Sequence, residues 1–152
     1  MKKKRILALF LAAVSCLSLA VSASAAGTTT RKATDFKDYD RTAWYAEAVS
    51  AAVDNGLLYG KSATVIDPNG DMTRAEMAAI INRSFGCYVK ADISKYKDVS
   101  KDKWYFEDVA MAVQMGTYNG RSNTAMAPDA PITRQEAMAV VARALELLSL
   151  IH

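Results

Sequence analysis

Apolar residues recur at helical spacing in four short stretches. Tyr45, Val49, Ala52 and Val53 keep one face of a helix, and Gly56 supplies the left-handed residue that ends it. Tyr105, Val109, Ala112, Val113 and Gly116 repeat that pattern. Met77, Ile80, Ile81 and Phe85 mark a second amphipathic helix, matched by Ala137, Val140, Val141 and Leu145. Between the members of each pair runs a long stretch containing Gly60 and Pro68, or Gly120 and Pro128, with turn-forming residues and no strand-like alternation. The pattern predicts an all-α domain of tandem helix-loop-helix units. One such hairpin cannot bury both of its faces alone, so the two should stack.

These units are one segment written twice. Residues 36–85 align with residues 96–145 at a constant offset of 60, with 18 of 50 positions identical and no gap. Trp44 falls on Trp104, and ThrArgAlaGlu at 73–76 falls on ThrArgGlnGlu at 133–136.

The segment before the repeats points to export. LysLysLysArg at 2–5 precedes an apolar run from Ile6 to Val21, followed by the small residues Ala23, Ser24, Ala25 and Ala26. This reads as a cleaved secretory signal, with a run shorter than the ~20 residues that span a bilayer. Cys16 stands in a poor lipoprotein context, because more apolar chain and a better cleavage site follow it. The chain then divides into a signal peptide (1–26), a short N-terminal segment (27–35), a first repeat (36–88), a linker (89–95), a second repeat (96–146) and an apolar tail (147–152).

Cleavage changes the charge. The whole chain carries 19 Lys and Arg against 16 Asp and Glu; losing four basic residues leaves 15 against 16, a formal net charge of −1. A broad surface for nucleic acid or anionic membrane is therefore not indicated, and anion binding has to be local. Cys87 is the one cysteine left, which excludes an internal disulfide and reads as a small core or boundary residue.

Local chemistry concentrates at the start of each second helix. Thr73 with Glu76, and Thr133 with Glu136, have capping-box spacing. Arg74 and Arg134 are not required by that motif, and the helix macrodipole disfavours a cation at the first position. A guanidinium beside helix N-terminal amides can hold a carboxylate or phosphate; a surface ion pair, such as Arg74 with Asp71, is the plainer account. Trp44 and Trp104, near Asp38 and Asp98, suit a sugar ring, whose C–H face packs on indole while its hydroxyls need polar partners. They would equally serve as aromatic plugs on the repeats.

The ordered set of Phe36 or Tyr96 before LysAsp, then Trp, ValxxAla, Gly, loop Pro and ThrArgxGlu resembles the S-layer homology domain of bacterial surface proteins. The resemblance covers both repeats. It implies a bundle of pseudo-threefold plan, here incomplete with two repeats, and noncovalent attachment to the cell wall through an anionic, pyruvylated secondary wall polysaccharide. It also implies that Arg74 and Arg134 contact the ketal carboxylate, with Trp44, Trp104, Asp38 and Asp98 nearby. The expected location is the cell wall or S-layer. Where the family loop carries AspGly and an aromatic residue, this chain has Gly60Lys61 with Ile66, and Gly120Arg121 with Met126.

Two repeats of a three-repeat plan leave an apolar face open, to which Leu147, Leu148, Leu150 and Ile151 add. Self-association, or pairing with another repeat-bearing protein, is the expectation. An adaptor that completes another protein's bundle without binding glycan, or a truncated anchor, is the alternative.

Other chemistries fit poorly. The acidic loop residues Asp67, Asn69 and Asp71 lack the Gly and Glu of an EF-hand, because Met72 and Ala78 stand at those places. Glu76 and Glu136 as a glycosidase pair compete with their capping role. His152 is the only histidine, and no catalytic or zinc-ligand cluster stands out. No enzyme, metal or cofactor is indicated.

Overall fold

The structure is a computed structural model and describes residues 31–149, with side chains as far as Leu147. The signal segment and Leu150 to His152 lie outside the described residues, as does the Leu148 side chain, so the expectations placed on them are not addressed. A 3-10 turn (Ala33–Asp35) precedes four helices: α1 (Ala46–Asp54), α2 (Arg74–Phe85), α3 (Phe106–Gln114) and α4 (Arg134–Ser149). Among the described residues there is no strand, only an isolated antiparallel bridge between Thr73 and Pro131. The all-α expectation holds. No helix of the described residues is long and apolar enough to cross a membrane.

Local signals place the helix ends as the spacing predicted. Thr73 Oγ1 accepts from Glu76 N at 3.2 Å while Thr73 N donates to Glu76 Oε2 at 2.8 Å. Thr133 and Glu136 make the same pair of bonds at 3.2 and 2.9 Å. Gly56 and Gly116, just beyond α1 and α3, have φ of 68° and 75°. Trp44 and Trp104 stand in the loop before each first helix, one residue ahead of the N-caps Tyr45 and Tyr105.

Helix pairing departs from a simple hairpin. α1 and α2 do not pack on each other, nor do α3 and α4; α2 packs on α3, across the repeat boundary, and more lightly on α4. Within a repeat the link is polar: Arg83 Nη1 donates to Leu57 O at 3.1 Å, and Arg143 Nη1 to Thr117 O at 3.3 Å. The apolar core follows the inter-repeat pairing. Ala75, Met77, Ala78 and Ile81 of α2 are buried with Tyr105, Val109, Ala110 and Ala112 of repeat two and with Val140 and Ala144 of α4. A smaller cluster of Ala33, Phe36, Val53 and Ile66 holds repeat one's first half.

Each loop is clipped to its own repeat. Asp38 accepts from the amides of Ile66 and Asp67 at 3.0 and 2.7 Å, and Asp98 from those of Met126 and Ala127 at 2.9 and 2.7 Å. These bonds hold Asp67 and Ala127 in the left-handed region, at φ of 56° and 54°. A side chain at Gly60 or Gly120 would come within 2.5 Å of the Phe36 or Tyr96 ring, so the loop lies flat on the aromatic only with glycine.

Candidate functional site

The two arginines of the repeated motif have opposite surroundings. Arg74 is buried, at 4% exposure. Its Nε donates to Met126 O at 3.0 Å, its Nη2 to Asn119 O at 3.0 Å, and its Nη1 to Glu136 Oε1 at 2.9 Å. The guanidinium carbon lies 5.2 Å from the centre of the Tyr118 ring. Around it, the first amides of α2 are already used: Arg74 N donates to Ala130 O and Ala75 N to Pro128 O, at 3.0 and 2.9 Å. The expected anion site at Arg74 is thus corrected. Carbonyls and a carboxylate of repeat two occupy its donors, and the ion pair is with Glu136, not Asp71.

Arg134, at the same place on α4, is exposed and forms no hydrogen bond or ion pair among the described residues. The N-terminus of α4 is correspondingly open.

Glu136 receives what Arg74 and its own repeat bring. Besides Arg74 and the cap of α4, it accepts from Arg121 Nε and Nη2, each at 3.1 Å. The Arg121 contact, the Thr133 amide and the nearby Arg74 hold its carboxyl well below the usual range, at about 2. Repeat one has a weaker version: Lys61 Nζ lies 4.0 Å from Glu76 Oε1 and donates to Asp71 O at 2.9 Å, as Arg121 does to Pro131 O at 3.2 Å. Sequence reasoning missed Arg121 and the second role of Glu136. Its available signal was a basic residue kept at 61 and 121, at the repeat offset.

Tyr118 under Arg74 is buried and its hydroxyl has no partner, while burial raises its pKa. The ring does the packing, so Tyr118→Phe should leave thermal stability unchanged or raise it by up to about 1 kcal/mol in denaturant titration. Tyr105 differs: its hydroxyl donates to Asp129 Oδ2 at 2.8 Å, and burial with that bond pushes its pKa up to about 12.

The indoles are open in both repeats. Trp44 is 94% exposed and Trp104 61%, each meeting the following tyrosine edge-on at 5.8 and 5.4 Å between ring centres. They are not plugs. Asp38 and Asp98, expected beside a ligand, spend both carboxylate oxygens on the loop amides; those two amides keep Asp38 ionised below its ordinary pKa.

Comparison with known proteins agrees with this architecture. The model of the S-layer homology domain matches residues 35–78 and 95–138, more than half of the chain. The chain is 38% identical over 116 residues to the surface-layer 125 kDa protein of Lysinibacillus sphaericus, covering 74% of this chain and 10% of that protein. It is 30% identical over 141 residues to a cell surface protein of Thermoanaerobacter kivui, covering 89% and 18%. An endoglucanase of Bacillus sp. (strain KSM-635) is 29% identical over 147 residues, covering 95% and 15%. The chain thus spans less than a fifth of the length of each of these relatives. With both repeats matched, and surface-layer and cell-surface proteins among its relatives, the chain belongs to the S-layer homology domain family and has its place at the cell surface.

Proposed function

We propose that this chain is a noncovalent cell-wall anchor that holds an anionic, pyruvylated secondary wall polysaccharide. The observation that carries the reading is the pair of exposed indoles, Trp44 and Trp104, set at equivalent places in two repeats. An indole face held by an edge-on tyrosine is a rigid platform for the C–H face of a sugar. Arg134, at the open start of α4, is the guanidinium free to meet a ketal carboxylate. Arg74 contributes differently: by locking repeat one to repeat two it fixes the spacing between the platforms. Asp38 and Asp98 hold the loops beside them.

The test is sedimentation of the protein with purified walls. Binding should be lost when the polysaccharide is stripped from the peptidoglycan. Trp44→Ala and Trp104→Ala should each weaken it by roughly tenfold, about 1.4 kcal/mol, and Arg134→Ala by several-fold. Undiminished binding to stripped walls, with all three substitutions silent, would falsify the proposal.

A further inference from the structure

The inter-repeat interface is made once inside the chain, by α2 on α3, and both of its halves are present a second time with no helix packed on them among the described residues. α4 corresponds to α2. Where Ala78 is fully buried, Met138 is 66% exposed; where Phe85 packs on the core, Leu145 is 56% exposed; where Arg74 is enclosed, Arg134 is bare. α1 corresponds to α3. Val109 and Ala112 are buried, at 1% and 0%, while Val49 and Ala52 are only half-buried. The polar pair that crosses the internal interface, Asn82 Nδ2 donating to Asp108 O at 2.8 Å, falls at the free ends on Ala142 and Ala48, so neither end leaves an unmatched polar side chain there.

The receiving side on repeat one also fits an arginine. Tyr59 and Glu76 stand where Asn119 and Glu136 receive Arg74. The Tyr59 carbonyl already accepts a guanidinium, that of Arg31, at 2.9 Å. Arg31 comes from the segment before the repeat and takes one of the bonds that a preceding repeat would supply.

We propose that a second copy of this chain docks head to tail: α4 of one copy packs on α1 of the next as α2 packs on α3, with Arg134 entering the repeat-one loop against Tyr59 O and Glu76 and displacing Arg31. The occupant is a second copy because one chain carries both complementary faces, and the interface continues one that the chain already makes. Such a contact joins unlike surfaces, so it either closes into a ring or extends as a filament. Docking covers Arg134, so a copy engaged through α4 does not offer that arginine to a glycan.

Sedimentation equilibrium of the secreted chain, without wall material, across the micromolar to high-micromolar range tests this. The mass should rise with concentration to that of a dimer or beyond. Met138→Asp, at an exposed position, should weaken association by at least about tenfold. Arg31→Ala should strengthen it by several-fold, the reverse of a purely structural loss. A monomer at all concentrations, or association unaffected by Met138→Asp, overturns the proposal, as does capture by another repeat-bearing protein while the chain alone stays monomeric. Wall binding is separable: Met138→Asp leaves the indoles intact and should retain it, whereas Trp44→Ala should reduce it without changing self-association.

Discussion

Arg74→Ala should lower stability by about 3 kcal/mol, read as a shift in the denaturant midpoint, because it removes a buried side chain whose three hydrogen bonds join the repeats and leaves their acceptors unmatched. The substitution empties the space beside the Tyr118 ring and strips donors from Met126 O, Asn119 O and Glu136 Oε1. Both carbonyls belong to repeat two, so the loss falls on the contact between repeats. Arg74→Lys should recover only part of it, since an ammonium cannot present the planar fork that reaches three acceptors at once. Arg134→Ala, the same change in the same motif, should shift stability by less than about 0.5 kcal/mol, as expected of an exposed side chain away from such contacts. Equal effects from the two would contradict the assignment of Arg74 to the inter-repeat contact and Arg134 to the open end.

That contrast shows where the sequence stops being informative. Capping boxes at Thr73 and Thr133 and the left-handed Gly56 and Gly116 were legible because their partners lie within four residues along the chain. The duplication was legible as well, since identical side chains recur at a fixed offset. The fate of each arginine was not. Arg74 and Arg134 occupy equivalent positions, but repeats contact one another through unlike faces, and of these two repeats only the first turns its second helix onto the first helix of the other. The acceptors of Arg74 lie 45 to 62 residues away, two of them main-chain carbonyls that no side-chain pattern marks. For the same reason, the pairing of α2 with α3 could not be separated from that of α2 with α1: both first helices show the same apolar face. The loop role of Asp38 and Asp98 was not legible, because a carboxylate near an indole looks alike in sequence whether it faces a sugar or two loop amides. The indoles needed the structure too, because a tryptophan that plugs a repeat and one that stands clear of it have the same spacing.

Acid should act on the same contact through Glu136. Its folded-state pKa, about 2, lies below the ordinary 4.5, so the native state holds its proton more weakly than the unfolded chain does. Stability from this group is therefore fully present above pH 4.5 and is lost as pH falls towards 2. With the side chain 27% exposed, solvent screening reduces the contribution to about 1–2 kcal/mol. Glu136→Gln should remove that part of the pH dependence, flattening stability between pH 4.5 and 2 relative to the unaltered chain. At neutral pH it should cost about 1–2 kcal/mol, the part that protonation removes in acid, because a neutral amide leaves the buried Arg74 charge without its counter-ion. The cap of α4 should largely survive, since Gln at the third position can also close a capping box. Helical circular dichroism should then persist while the denaturant midpoint falls. Glu76→Gln provides the control: Glu76 has the same cap but receives only Lys61, at 4.0 Å, so its substitution should be mild. An equal loss from Glu76→Gln would locate the effect in the capping box, and the inter-repeat role of Glu136 would fall.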